Sequence, residues 1–192
     1  MSASRPATAL VVVDVQESFR HRPYWRPDDV PAFLAKLQQL VDGAARLGLP
    51  VVQIFHVEDA GAFSIASGNI VAMTGLSIAP TVAFHKRSHS ALVGSGLETW
   101  LIRHGIRRLI VSGIRTEQCC ETTTRHASDL GYEVDYVTEA TLTFPMTDKG
   151  GRTWSPAEIA ARTELVLADR FARITDVAGA LALATADESR RA

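Results

Sequence analysis

Cysteine is scarce in this chain: the sequence has two, and Cys119 and Cys120 are direct neighbours. Adjacent cysteines cannot form an ordinary disulfide between distant segments, so a scaffold held by disulfides is excluded. Free thiols without bridges are typical of a reducing compartment. We therefore expect a cytoplasmic protein.

Long apolar runs and an excess of charge of one sign are also missing. No apolar run approaches the roughly 20 residues that a membrane-spanning helix needs. The first run, Ala9–Val13, is interrupted by Asp14, which is typical of a first strand and not of a signal peptide. The net charge is −1 and the basic residues are scattered. Neither nucleic acid nor a membrane is therefore an expected partner.

The 192 residues, of which 46% are hydrophobic, are enough for one domain with a sizeable core, and we expect a single domain over 1–192. Six strands are predicted, near 9–14, 51–57, 81–84, 109–111, 132–137 and 171–175. Helices are predicted between them, with starts near 28, 95, 116, 155 and 176, and the start at Ser155 is a capping box with Glu158. This alternation predicts a parallel sheet with helices on both faces. We expect the ends of the chain, 1–8 and 185–192, to be loosely held.

The strand near 109–111 runs into a helix whose first turn carries cysteine. Thr116 is the predicted N-cap and Gly131 the predicted stop, which makes Cys119 the third helical residue. The unpaired N–H groups and the dipole of a first helical turn favour thiolate. The sequence therefore predicts a lowered pKa and a nucleophilic role for Cys119. Cysteine is also common as core filler, and this is our interpretation of Cys120.

Two other predicted strand ends carry ionisable residues. Asp14 ends the first strand and Lys86 follows the third. In a parallel sheet, ligands and catalytic groups gather outside the carboxyl ends of the strands, so we expect acid, cation and thiol at one edge. Three segments, 20–27, 59–80 and 139–154, are candidate pocket walls. For 59–80 a lid, a binding loop and a subunit contact remain open.

Three motifs together resemble the signatures of isochorismatase-like cysteine hydrolases, the superfamily of nicotinamidases and N-carbamoylsarcosine amidohydrolases. In chain order they are Val-Val-Val-Asp14-Val-Gln16, His85-Lys86-(three residues)-Ser90-Ala91, and Ser112-Gly113-Ile114-Arg115-Thr116-(two residues)-Cys119-Cys120-(two residues)-Thr123. Order and spacing match over roughly Ala9 to Leu183. The resemblance implies an α/β, Rossmann-like three-layer α/β/α fold with a six-stranded, mainly parallel sheet. It also implies a homo-oligomer, either a dimer or a tetramer.

The resemblance implies a reaction as well: hydrolysis of C–N bonds, other than peptide bonds, in small amides or carbamoyl compounds. In that reaction Cys119 is the nucleophile, Asp14 the proton-transferring base, and Lys86 the cation that holds both anions. These roles agree with the acid, the cation and the thiol that we expect at the three strand ends.

Further site residues follow from the same resemblance. It implies a cis peptide between Ile114 and Arg115, and an oxyanion hole formed by the backbone N–H groups of Arg115 and Cys119. The candidate substrate-binding residues are Gln16, Phe19 and Arg115. Arg115 stands where a small residue is expected, and is either a clamp for a substrate carboxylate or a solvated or interface arginine.

The nicotinamidase metal motif, Asp-x-His-Pro-x-x-His, has no counterpart after the second strand, where the sequence reads His56-Val-Glu-Asp59. We therefore expect no metal and no cofactor. The remaining candidates His85, His89 and His126 show no metal-ligand spacing, and we interpret them as structural or peripheral.

Other functions remain open. Vinyl-ether hydrolysis of the isochorismatase kind is one of them. Enzymes related to that kind can dispense with the cysteine, so the presence of Cys119 favours amides. A catalytically silent binding or scaffold protein is another, and the retention of acid, lysine and thiol argues against it. A nucleotide-binding protein is disfavoured because no Gly-x-Gly-x-x-Gly or phosphate loop follows the first strand.

Overall fold

A computed structural model describes residues 7–189, with side chains described for residues 7–186. The strands are β1 (Thr8–Val13), β2 (Val51–His56), β3 (Val82–Lys86), β4 (Arg108–Ile114), β5 (Glu133–Leu142), β6 (Met146–Thr147), β7 (Thr153–Trp154) and β8 (Arg173–Thr175). The helices are α1 (Val30–Arg46), α2 (Leu97–Arg103), α3 (Glu121–Asp129), α4 (Pro156–Leu167) and α5 (Val177–Ser189). A π-helical turn, Thr116–Cys120, leads directly into α3.

Six of the strands form one sheet in the order β3-β2-β1-β4-β5-β8, and every neighbouring pair is parallel. The predicted six-stranded, three-layer α/β fold is confirmed. Strands β6 and β7 form a separate antiparallel hairpin. The chain first builds outward from β1 to β3 and then returns to add β4 on the other side of β1. This reversal opens a crevice at the carboxyl ends of β1 and β4, where ligands bind in sheets of this kind.

Strand β1 is buried on both faces, as its continuous apolar sequence predicts. Leu10 and Val12 belong to the core cluster that includes α1 and α5, whereas Ala9 and Val11 belong to the cluster that includes α2 and α3. Adjacent residues point to opposite faces because side chains alternate along a strand. The two clusters hold the carboxyl end of β1 firmly between two helical layers.

Gly113 sets how closely β4 approaches β1 at that end. Its φ is 127°, and a Cβ at this position would lie 2.0 Å from the carbonyl oxygen of Val13. Only glycine fits there, because any side chain would overlap the backbone of β1. The turn that carries Cys119 is therefore brought next to the residue that follows β1.

Several boundaries differ from the predicted ones. Strand β5 continues to Leu142, because β4 shifts register after Val111 and its last residues then pair with Thr141 and Leu142. The front of the predicted pocket wall 139–154 is therefore strand. Thr116 is not an N-cap: it begins the π-helical turn, and its Oγ1 is hydrogen bonded to Oγ1 of Thr141 at 2.8 Å.

The expectation of loose ends is wrong where it can be compared. Thr8 is fully buried in β1, and α5 extends to Ser189. The rest of that expectation, residues 1–6 and 190–192, lies outside the described residues. Within 7–189, none of the helices combines the length and apolarity needed to cross a bilayer.

Candidate active site

Three strand ends meet at the carboxyl edge of the sheet. Asp14 directly follows β1, Lys86 is the last residue of β3, and Cys119 lies in the turn after β4. Nζ of Lys86 lies 2.7 Å from Oδ2 of Asp14 and 3.3 Å from Sγ of Cys119. The structure thus brings an acid, a cation and a thiol into direct contact.

Asp14 is held by its backbone in an uncommon conformation. Its φ is 54°, in the left-handed region that aspartate tolerates better than most residues. Its N–H donates to the carbonyl of Ile54 at 2.9 Å, which ties it to β2. The carboxyl group is completely buried, and this burial raises its pKa, while the Lys86 ammonium acts in the opposite direction.

Lys86 is the charge centre of the site. Burial by itself would lower the pKa of its ammonium, but Asp14 and Cys119 outweigh burial and the pKa is raised, so Lys86 stays a cation. Besides these two partners, Nζ donates to the carbonyl of Ser88 at 3.0 Å and contacts Nδ1 of His56 at 3.2 Å. An ammonium has three protons, so these four acceptors share them.

His56 is neutral at physiological pH. Burial, and then the Lys86 charge, lower its pKa to about 4. A neutral Nδ1 that accepts from Lys86 leaves the ring proton on Nε2. His56 therefore helps to hold the ammonium and does not add a second positive charge. In the sequence His56 stands out only as part of an absent metal motif, although its position at the end of β2, beside β1, could have placed it at the site.

The thiol of Cys119 behaves differently from the sequence prediction. Burial, reinforced by the charge of Asp14, raises its pKa to about 12, and Lys86 opposes this only in part. The predicted lowered pKa is therefore wrong. Desolvation and a neighbouring anion outweigh the helix dipole, which is worth at most about 2 kcal/mol even in favourable positions. At rest Cys119 is therefore a thiol.

Cys120 is completely buried in the core cluster beneath the sheet, together with Tyr136. Its interpretation as core filler agrees with this position. Burial raises the pKa of its thiol well above the ordinary value, with Cys119 and Asp14 acting in the same direction.

His89 lies against the nucleophile. Its Nδ1 is 3.8 Å from Sγ of Cys119, and the residue is exposed to solvent. The interpretation of His89 as peripheral is therefore wrong. No signal in the sequence separated it from His85, whose ring packs on Phe55, or from His126, which is hydrogen bonded to Ser90.

Two of the candidate substrate-binding residues support the wall of the site from behind. Oε1 of Gln16 accepts from the N–H of His56 at 2.7 Å, and Nε2 donates to the carbonyl of His56 and to Oγ of Ser18. The amide thus fastens the end of β1 to the end of β2. Phe19 is almost fully buried and packs edge-on against Phe63, with ring centroids 5.0 Å apart.

Arg115, the third candidate, is buried within the protein. One guanidinium nitrogen lies 2.8 Å from Oε1 of Glu117, and the group stacks over the ring of Tyr24 at 4.8 Å and near that of Phe144 at 5.9 Å. The alternative of a solvated arginine is therefore wrong. A substrate carboxylate would have to share this guanidinium with Glu117.

The backbone of the same residue shapes the turn. The peptide bond between Ile114 and Arg115 is cis. The carbonyl of Arg115 accepts hydrogen bonds from the N–H groups of Gln118 and Cys120, both at 3.2 Å. These bonds close the π-helical turn on which Cys119 is carried.

The region of the absent nicotinamidase metal motif does not fit a metal ion. Each of its possible ligands already faces a cation: His56 faces Lys86, Glu58 is paired with Arg22, and Asp59 is paired with Arg87. Across residues 7–189, no group of three or more His, Cys, Asp or Glu side chains could hold a metal.

Known proteins resemble this chain in sequence. The isochorismatase domain family matches residues 8–167. An uncharacterized isochorismatase family protein of Bacillus subtilis, YrdC, is 27% identical over 169 residues, which cover 86% of this chain and 90% of that protein. A segment of 65 residues is 38% identical to Nicotinamidase 3 of Arabidopsis thaliana and covers 34% of this chain and 33% of that protein.

The fold has close counterparts among solved structures. A crystal structure of an isochorismatase family protein from Chromobacterium violaceum superposes with a TM-score of 0.84 at 27% identity, and the match covers 97% of this chain and 96% of that one. Because the family match spans most of the sequence and the motifs meet at one edge of the shared sheet, this chain belongs to the isochorismatase family of hydrolases.

Proposed function

We propose that this protein hydrolyses a C–N bond in a small amide or carbamoyl compound through a thioester on Cys119. One observation carries the proposal: Nζ of Lys86 bridges Oδ2 of Asp14 at 2.7 Å and Sγ of Cys119 at 3.3 Å, and all three residues are buried. Nucleophile, base and compensating charge in contact are the parts that covalent acyl transfer needs.

The raised pKa of the thiol defines how the first step proceeds. With a pKa of about 12, Cys119 is rarely a thiolate at neutral pH, so the proton must leave as sulfur attacks the carbonyl carbon. We assign that proton to Asp14, because Asp14 and Cys119 both contact Nζ of Lys86, at 2.7 Å and 3.3 Å. Lys86 stabilises the negative charge, which begins on Asp14 and develops on sulfur.

The tetrahedral intermediate carries an oxyanion, and we assign its stabilisation to the backbone N–H groups of Arg115 and Cys119. The C–N bond then breaks and releases an amine or ammonia. Water hydrolyses the thioester, and the acid product leaves. No step requires a metal ion or an organic cofactor.

For substrate binding we propose that Arg115, with its charge shared by Glu117, contacts a polar or anionic group of the substrate, while Phe19 supports the apolar wall. Gln16 acts by holding β1 to β2 and so keeps Asp14 in place. The similarity of one segment to Nicotinamidase 3 supports an amide as the substrate class.

The proposal is tested by screening carboxamides, ureido acids and N-carbamoyl compounds for release of ammonia. Cys119→Ala should abolish release, while the matched control Cys120→Ala should retain it, because Cys120 is buried in the core. Mass spectrometry of quenched reactions should find the acyl adduct on the peptide that contains Cys119. Unchanged release by Cys119→Ala would refute the thioester route. Turnover of a vinyl ether, with all amides untouched, would favour the isochorismatase-type alternative.

A further inference from the structure

We propose that His89 is a second proton-transferring residue of this site: it protonates the leaving nitrogen, and it later takes a proton from the water that hydrolyses the thioester. This inference rests on the proposed function. The proton transfers are then divided between two sides of Cys119. Asp14 exchanges a proton with the sulfur, and His89 exchanges protons with the leaving nitrogen and the entering water.

The two sides of the sulfur differ in access to solvent. Asp14 is completely buried and Lys86 nearly so, whereas His89 is exposed and holds Nδ1 3.8 Å from Sγ of Cys119. Once a substrate carbonyl is bonded to sulfur, the leaving nitrogen must depart, and water must enter, through an open side. His89 stands on a side that is open.

The residues directly before and after His89 are both held by hydrogen bonds. The carbonyl of the preceding residue, Ser88, accepts from Nζ of Lys86 at 3.0 Å. Oγ of the following residue, Ser90, is hydrogen bonded to Nδ1 of His126 at 2.9 Å and accepts from the N–H of Leu92 at 3.2 Å. The ring is therefore presented to the sulfur by an anchored backbone, which proton transfer requires.

The protons and electron pairs balance over a full turnover. In acylation, Asp14 receives the thiol proton as the S–C bond forms, and the imidazolium of His89 gives its proton to the nitrogen as the C–N bond breaks. In deacylation, neutral His89 takes a proton from water as the new C–O bond forms, and protonated Asp14 returns its proton to sulfur as the S–C bond breaks. Each residue ends in the form in which it began, so no further reactant is needed.

A substrate with a good leaving group separates this role from the rest of the mechanism. With p-nitrophenyl acetate, the leaving phenolate needs no proton, so acylation does not require His89 but deacylation still does. We expect His89→Ala to release about one equivalent of p-nitrophenolate in a rapid burst and then to turn over about 10²-fold more slowly than wild type, the lower end of general acid–base effects. The acetyl group should accumulate on Cys119. The matched control is His85→Ala, a neighbouring exposed histidine that packs on Phe55, and it should behave like wild type.

Added imidazole distinguishes proton transfer by His89 from a purely structural role, because free imidazole can replace a missing proton donor and acceptor but not a missing packing contact. Because position 89 is open to solvent, free imidazole should restore the slow phase of His89→Ala in a concentration-dependent way, after subtraction of the ester hydrolysis that imidazole catalyses without enzyme. His85→Ala should show no such gain. Wild-type steady-state turnover by His89→Ala would overturn the inference. Loss of the burst with an unchanged iodoacetamide reaction at Cys119 would also overturn it, because acylation would then depend on His89. Cys119→Ala separates the two proposals: persistent ester turnover in that variant would refute the thioester route itself, whatever His89 does.

Discussion

Nζ of Lys86 lies 2.7 Å from Oδ2 of Asp14, and neither side chain exposes any surface to solvent. A buried pair of this kind is costly to desolvate and is kept in place by its own attraction. The pair places a fixed positive charge beside the sulfur of Cys119, while the sulfur itself stays protonated at rest. The site is therefore set for a proton transfer that occurs during attack.

Breaking this pair should destabilise the fold. We expect Asp14→Ala to lower the free energy of unfolding by about 3–5 kcal/mol, because Lys86 would be left buried without its counter-charge. Urea unfolding measures this. The matched control is Arg87→Ala, which removes the exposed pair between Arg87 and Asp59 and should cost about 0–1 kcal/mol. Equal, small losses in both variants would contradict the prediction.

The two partners of the thiol should shift its reactivity in opposite directions. The charge of Asp14 raises the pKa of Cys119 and that of Lys86 lowers it. In a Cys120→Ala background, Asp14→Asn should therefore speed alkylation of Cys119 by iodoacetamide at pH 8, and Lys86→Ala should slow it. A shift of one pKa unit corresponds to about tenfold in the rate. Both variants should lose turnover.

The sign of these changes is the safer observable, because the groups titrate together and a measured pKa belongs to the set. Peptide mapping after brief labelling of the wild-type protein should also show Cys119 modified before Cys120, which is completely buried. Faster alkylation in Lys86→Ala, or preferential labelling of Cys120, would contradict the assigned electrostatics.

His56 should contribute a pH-dependent part of the stability. Its pKa is about 4 in the folded protein against an ordinary value of 6.5, so between these values the unfolded chain binds more protons. The contribution of His56 is present in full above pH 6.5 and is lost as the pH falls towards 4. His56→Gln should flatten the pH dependence of the unfolding free energy in this window. An unchanged slope in His56→Gln would refute the assignment.

Gly113 should be intolerant of a side chain. We expect Gly113→Ala to lose more than about 4 kcal/mol of stability or to fail to fold, because the new Cβ would overlap the carbonyl of Val13. The control Gly105→Ala also has a positive φ, of 69°, but no atoms within 4 Å of the new Cβ, and should cost about 1–2 kcal/mol. Thermal unfolding distinguishes the two, and similar losses would show that the close approach at β1 is not limiting.

Turnover should not depend on a divalent cation. The possible ligands after β2 face Lys86, Arg22 and Arg87, which repel a metal ion. Dialysis against a chelator should therefore leave the rate of ammonia release unchanged. A loss of activity that zinc or another cation restores would contradict this prediction.

The sequence by itself determined the features whose causes are local. The capping box Ser155–Glu158 starts α4 because its two hydrogen bonds join residues three apart. The apolar runs define the strands because burial on both faces demands continuous hydrophobicity. Because the carboxyl ends of parallel strands lie at one edge of a sheet, the same runs also indicated that this edge carries Asp14, Lys86 and Cys119.

Only the tertiary structure decided the protonation state of the Cys119 thiol and which side chains contact it. The direction of the Cys119 pKa depends on burial and on Asp14, which is far away in the chain, whereas the sequence showed only the local helix dipole. The contact with His89 likewise depends on how the segment after β3 folds over the turn after β4. Desolvation and charge–charge interactions act through space, so chain spacing alone could set neither their sign nor their strength.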